Sequence, residues 1–377
     1  MLPPPSAGGS PCGAAPPFPP PLPVRPVDTT LLPPQAPAAP PAAPARWTTS
    51  PTPPADWAES LAACSGTFFH APPVLQASLP PGEAVYARLV RGPRTLAVAL
   101  GAAVRCRLSR RVRHYRFAAL PAAAPGVDRD RAAARLVELL SARGAAEVVM
   151  ESFGAGSEAG AADGGIPGRG RLELAIPLEG GPQAVLMRMR GSHRRHVREG
   201  EREGWEMRLL RGGEALRLLA TVRDGAAERA ALRGDGFDAG LPAEAFGWAT
   251  ERTAPWGVAT FAAYEDGVPL AATSVGWAGG GSYLLSGGST PEGYRRSAAH
   301  WLQWRLMTEL HAAGIRTHNL GGVPAEAVRP DHPAHGLYSY KSGFGAVETA
   351  CRGMRWEPHP GHLRLHGWLG RMTGGRL

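Results

Sequence analysis

The sequence predicts an α+β protein with two folded lobes behind a proline-rich arm. Three observations carry this reading. Residues 258–264, 268–277 and 282–286 are apolar, β-prone runs separated by Glu265-Asp266-Gly267 and Gly279-Gly280-Gly281. Both connectors have turn chemistry, so the runs form an antiparallel meander. A helix pattern over 297–313, stopped by Gly314, follows the meander. A strand over 315–320, a long loop opened by Gly321-Gly322 and a closing strand over 346–356 come next. Strands grouped before a helix belong to an α+β lobe rather than to an alternating, doubly wound sheet. Lastly, of the 377 residues, about 320 can fold, enough for two lobes of about 150 each.

The arm is read from composition. Residues 1–54 hold 20 of the 39 prolines, and their only charged side chains are Arg25, Asp28 and Arg46. Proline fixes φ and removes a donor, so residues 1–55 are expected to be a disordered arm, or the product of a start codon placed too far upstream. Deleting 1–54 is expected to leave the fold intact. No apolar run reaches membrane-helix length and no secretory signal is visible, so the expected location is the cytoplasm. Cys12, Cys64, Cys106 and Cys351 are scattered without a C-x-x-C pair. That excludes a disulfide scaffold and a cysteine-based zinc finger.

The first lobe is expected over 56–180. Helices are predicted at 56–63 and 72–79, and a hairpin joins strands 84–91 and 94–104 at Gly92-Pro93. A helix over 130–143 has Gly144 as its C-terminal cap, and strands over 147–151 and 171–178 flank a glycine-rich loop. The second lobe is expected over 181–357. It adds a strand at 205–210, a helix at 214–232 and a helix beginning at Pro242. Residues 358–377 form a basic tail.

Charge is concentrated. Residues 105–116 carry six Arg and no acid, and 188–211 carry eight Arg against four Glu. Two such patches suit an anionic partner: nucleic acid, a nucleotide diphosphate or an acidic membrane surface, with solvated faces as the plain alternative. Of 41 basic residues, 40 are Arg and one is Lys341. Where Arg serves almost everywhere, a retained Lys points to a need for a compact, rotatable ammonium.

Gly154-Ala155-Gly156-Ser157-Glu158-Ala159 matches a dinucleotide fingerprint, but the following residues cannot form the helix such a site needs. Of the pairs His193/His196, His332/His335 and His362/His366, only the last has i,i+4 spacing, and none has a neighbouring carboxylate in an H-E-x-x-H pattern. No metal site is assigned. No G-x-S-x-G elbow is present. Arg190, Arg194, Arg198 and Arg202 form one stripe on a helix, suited to a phosphate or carboxylate. Residues 289–297 lead from the meander into its helix, and a helix start with Arg295 and Arg296 beside it is a natural anion site.

Three of these segments, in this order, resemble the Fem family of aminoacyl-tRNA-dependent transferases (FemA, FemB and FemX types) within the GNAT acyltransferases. The first is Arg194-x-x-Val197-Arg198-x-x-x-Arg202-x-Gly204. The second is Gly287-Gly288-Ser289-Thr290-Pro291 followed by Ala298-x-x-Trp301-Leu302-Gln303-Trp304. The third is Asn319-Leu320-Gly321-Gly322 with Gly336-Leu337-Tyr338-Ser339-Tyr340-Lys341-Ser342-Gly343-Phe344-Gly345. Lys341 falls in the family's Lys-x-x-Phe-Gly motif. The likeness covers about 56–360 and is strong in the second half only. There are departures: Asn319 stands where the family usually has Asp, and Ser192 where Lys is common. Residues 295–300 read RRSAAH, without the glycines of the usual acetyl-CoA loop. Lacking them, the backbone admits a pyrophosphate less closely, which favours a donor other than CoA. The short connection after Arg202 fits the armless, FemX-like type.

The resemblance implies two tandem GNAT-like lobes and an N-acyltransferase that uses no metal, no permanently bound cofactor and no covalent enzyme intermediate. Aminoacyl-tRNA is the implied donor, with acyl-CoA as the alternative and a non-catalytic basic module as the third reading. The acceptor is an amine of a peptide, a cell-wall precursor (peptidoglycan) or a small metabolite, and peripheral contact with an anionic membrane is compatible with the charge. In this reading Lys341 stabilises the oxyanion, and Tyr338 binds the acceptor or protonates the leaving oxygen. Arg194 and Arg198 grip an anionic acceptor. Tyr294, Arg295 and Arg296 hold the donor, and Asn319, Gly321, Gly322, Phe344 and Gly345 shape the motif loop.

Overall fold

In the computed structural model, two copies of one unit lie side by side in a single sheet. The structure describes residues 44–77, 79, 82–105, 113–154, 165–232 and 255–361. Outside them lie residues 1–43 of the expected arm, most of the first basic patch, the 155–159 part of the dinucleotide-like motif, the helix expected from Pro242, and the tail beyond 361 with its His362/His366 pair.

The first unit is β2 (Glu83–Arg91), β3 (Arg94–Arg105) and β4 (Arg113–Phe117), then helix α3 (Arg129–Ala142) and strand β6 (Ala145–Met150). The second is β9 (Trp256–Glu265), β10 (Val268–Ala278) and β11 (Gly281–Ser289), then α7 (Pro291–Arg295), α8 (Ala298–Ala312) and β12 (Thr317–Pro324). In each, three antiparallel strands precede a crossover helix, and the next strand pairs in parallel: β4 with β6, and β11 with β12. The expected pair of tandem GNAT-like lobes is therefore present. Smaller pieces complete them: α1 (Trp57–Ala63), α2 (Val74–Ala77) and the two-residue β5 (Ala122–Ala123) in the first lobe.

Four further strands are β1 (Arg46–Ser50), β7 (Ile166–Pro177), β8 (Glu206–Leu210) and β13 (Val347–Trp356). The full order is β1-β2-β3-β4-β6-β13-β7-β12-β11-β10-β9-β8. This moves the expected boundary. β7 falls within 56–180, yet it pairs with β12 and β13 of the second lobe. β13, in turn, pairs with β6 of the first, through Met354↔Met150 and its neighbours. The lobes share one sheet because these two strands cross over.

Core packing follows the two sheet faces. On one face of the first lobe, Ala97, Ala99, Tyr115 and Phe117 meet Leu136 and Leu140 of α3. On the other, Val98 and Leu100 meet Trp57 and Leu61 of α1, with Phe68 and Phe69. Asp128 caps α3 by accepting from the Arg131 amide, and Gly144 ends it with φ +84°. In the second lobe, α8 buries Leu306, Met307 and Leu310 together with Val185 of α4 (Gly181–Arg188) and Val197 of α5 (Gly191–Arg202). Helix α6 (Gly212–Leu232) packs Leu219 and Val222 against Ala262 and Ala272. The 321–345 stretch, expected as a loop, contains α9 (His335–Ser342).

Folded chain begins earlier than expected. β1 pairs antiparallel with β2, and Trp47 is buried with its indole N–H donating to the Ala132 carbonyl at 3.0 Å. Proline density there misleads because residues 45–49 contain none. Deleting 1–54 should therefore destabilise the first lobe. Trp47→Ala should cost about 3–5 kcal/mol by urea or thermal denaturation, as large core truncations do. An unchanged midpoint would mean that β1 does not dock.

Candidate active site

The site forms where β11 and β12 part. The two strands pair only at Gly281↔Thr317, Ser282↔His318 and Tyr283↔Asn319. Beyond those residues β11 continues against β10 as far as Ser289, and β12 against β7 as far as Pro324. At the parting, β12 shifts register against β7 between Asn319 and Gly322. Gly321 takes φ +78° there, which an L side chain adopts only with strain. The Asn319 Oδ1 accepts from the Gly321 amide at 2.8 Å and stabilises this bulge. The Gly322 carbonyl then accepts from the Lys341 ammonium at 2.9 Å. Lys341 is only 6% exposed.

A buried carboxylate lies beneath. Glu173 of β7, 1% exposed, accepts from four donors. Its Oε1 takes the Gly154 amide at 3.0 Å, Arg171 at 2.7 Å and the Tyr283 hydroxyl at 3.1 Å. Its Oε2 takes the Asn319 carboxamide N–H at 2.8 Å. Burial, and then the Glu173 charge, hold the Tyr283 hydroxyl well above its usual pKa of 10, so it stays a donor. The Arg171 guanidinium also sits 3.9 Å from the Phe153 ring centre. Tyr283 meets Phe69 edge-on at 4.6 Å, which closes this side with aromatic rings from the first lobe.

Helix α9 is held from behind by α5 and the residue before it. Arg190 donates to the Ser339 hydroxyl at 2.9 Å and the Ser342 hydroxyl at 3.1 Å. His193 donates from Nε2 to the Tyr340 carbonyl at 2.9 Å, and burial lowers its pKa, which favours this neutral tautomer. A side chain at Gly343 would overlap the His193 ring. Phe344 is fully buried against His193 and His300. The Lys-x-x-Phe-Gly motif thus has separate duties: the lysine faces the site, the phenylalanine anchors the helix end, and Gly345 makes the turn at φ +76°.

The structure brings Asn319, Gly321, Gly322 and Lys341 together. The other expected residues lie elsewhere. Tyr338 donates its hydroxyl to Glu348 at 2.8 Å, and that bond raises its pKa. Arg194 donates to the carbonyls of Met187 and Met189 and so closes the end of α4. Arg198 is exposed on α5. Arg295 pairs with Glu292 across one turn. Arg296 is bound by Glu265 and Glu203 and stacks over Trp205, so its charge is already neutralised and its donors already engaged. Those partners lie far away in sequence, which is why Arg296 reads locally as a phosphate grip. Tyr294 is exposed beneath the Arg229 guanidinium. Sequence reasoning does not find Glu173, Arg171 and Tyr283: Arg171-Leu172-Glu173-Leu174 alternates like a strand with its charges in solvent.

The sequence model of the family described as "Acetyltransferase (GNAT) domain" matches residues 187–342. No curated protein matches the chain. Among solved structures, FemX is similar with a TM-score of 0.55 at 14% identity, covering 73% of this chain and 88% of that one. L-PGS from Bacillus licheniformis has a TM-score of 0.45 at 13% identity, covering 74% and 87%. A tandem GNAT protein from the clavulanic acid biosynthesis pathway has 0.44 at 13%, covering 84% and 99%. The FemX likeness is one of fold. Residues 187–342 thus match a GNAT acetyltransferase domain, and the protein is an acyltransferase.

Proposed function

We propose that the protein is an N-acyltransferase that moves an aminoacyl group from aminoacyl-tRNA to an amine of a peptide, a cell-wall precursor or a small metabolite. The observation that carries this reading is the only lysine of the chain, buried at the β12 bulge where β11 and β12 separate. In the reaction, the acceptor amine attacks the ester carbonyl and its oxygen becomes an oxyanion. Lys341 stabilises that charge. Collapse breaks the C–O bond, and the leaving hydroxyl oxygen takes up the proton released by the amine. This needs positioning and a preorganised charge rather than a covalent intermediate. Lys341 is the oxyanion residue, and Arg198, exposed on α5, is the acceptor-side charge. In this reading Tyr294 and Arg295, both exposed on α7, are the donor-side residues.

The tRNA donor is favoured by the start of α8. Residues 295–300 contain no glycine, and Ser297, at φ +57°, holds the left-handed position with a side chain. The second reading, an acyl-CoA donor, is favoured by the matched acetyltransferase domain itself. Melting temperature in the presence of tRNA or of CoA separates the two, because a ligand bound to the native state stabilises by mass action. The expected result is an upward shift with tRNA that fades steeply as salt rises. A shift with CoA alone would replace the first reading with the second.

A further inference from the structure

We propose that Glu173 is a positioning residue for Lys341: its carboxylate sets the donor–acceptor sense of Asn319, and Asn319 sets the bulge that seats the lysine. The kinetic part of this rests on the acyl-transfer reading above; the structural part does not. An Asn carboxamide has one donor end and one acceptor end. Here the donor end meets Glu173 Oε2 at 2.8 Å, and the acceptor end meets the Gly321 amide at 2.8 Å. A flipped carboxamide would set oxygen against carboxylate and N–H against N–H. An ionised carboxylate accepts only, so Glu173 leaves Asn319 one orientation. With the Gly321 amide held, Gly321 keeps φ +78° and the Gly322 carbonyl keeps its bond to Lys341. The other partners of Glu173 reinforce this. Arg171, Tyr283 and the Gly154 amide all donate, so the group is held as an acceptor from every side.

Glu173 and Asn319 are thus a matched pair, and the match can be inverted. Glu173→Gln alone puts an N–H against at least one donor. Asn319→Asp alone sets two carboxylates 2.8 Å apart at the same contact. The double variant, Glu173→Gln with Asn319→Asp, exchanges the two functional groups. The carboxamide now on β7 donates to the carboxylate now on β12, and that carboxylate accepts from the Gly321 amide. The carboxamide oxygen accepts from the remaining donors. The pairing is restored with the same total charge.

Because Lys341 is the only lysine, protein grown with lysine isotope-labelled at the ε-carbon gives one side-chain NMR signal. That signal reports the seat of Lys341 whether or not a substrate is known. Each single variant should shift it, and the double variant should return it to the wild-type position. In a transfer assay each single variant should lower kcat by about 10- to 100-fold with KM little changed, and the double should recover most of the loss. Asn319→Asp keeps the Arg171–Glu173 ion pair, so it remains informative if Glu173→Gln folds poorly. An unmoved signal in both single variants, or a double variant worse than either, would overturn the proposal. Shift and return of the signal with no transfer from any donor would keep the positioning role and reject the acyl-transfer reading.

Discussion

Lys341→Arg should lower kcat about 100-fold, equivalent to near 3 kcal/mol of barrier, as for loss of one oxyanion donor. The charge is kept, but a planar fork on a longer stem replaces a compact ammonium. The site has no slack for that exchange: the lysine is 6% exposed. Its nitrogen already meets the Gly322 carbonyl at 2.9 Å. Lys341→Met should be at least as damaging. Arg329→Lys, in the segment before α9 and paired at the surface with Asp331, should be mild, as isolated surface pairs contribute little. Full turnover by Lys341→Arg would remove the special role of this lysine.

Mild acid should destabilise the protein. Burial pushes His70 down to about 4 and His318 to about 3, from an ordinary 6.5. Both are neutral in the fold and bonded on both ring nitrogens. His70 accepts from the Thr67 amide and donates to the Leu120 carbonyl. His318 bonds Ser282 and Gln303. Since the folded values lie below the unfolded one, the unfolded chain binds more protons between them. The stability these groups supply is therefore complete above pH 6.5 and is lost as pH falls toward 4 and then 3. Each costs about 1.4 kcal/mol per pH unit over that window, so the two together remove about 5 kcal/mol by about pH 4.5. That approaches the whole stability of many domains. Thermal melts from about pH 7.5 down to about pH 4.5 should fall accordingly, and His318→Gln should flatten the slope. A midpoint constant from about pH 7 to about pH 5 would contradict the buried, neutral state.

Local signals make much of the fold legible. The Glu265-Asp266-Gly267 and Gly279-Gly280-Gly281 turns locate the meander, Gly144 and Gly314 end their helices, and Lys341 stands out against 40 arginines. What stays hidden depends on partners distant in the chain. Glu173 reads as a solvent-facing strand residue until the Gly154 amide and Tyr283, 110 positions later, close over it. Arg296 reads as a free cation until Glu203, 93 positions earlier, binds it. Helix α9 reads as loop because Gly-Leu-Tyr-Ser-Tyr has weak intrinsic helix preference; Arg190 and His193, packed behind it, supply the support. The exchange of β7 and β13 between the lobes leaves no local mark at all.

Amide formation is the direct readout of lysine-dependent aminoacyl transfer. The full chain is incubated with aminoacyl-tRNA carrying a labelled amino acid, and in parallel with labelled acetyl-CoA, each with peptide, cell-wall-precursor and small-metabolite amines as acceptors. The prediction is label in a new amide from the aminoacyl-tRNA arm, lost with Lys341→Met. Label from the acetyl-CoA arm alone would exclude aminoacyl-tRNA as the donor, and transfer undiminished in Lys341→Met would exclude Lys341 as the oxyanion residue.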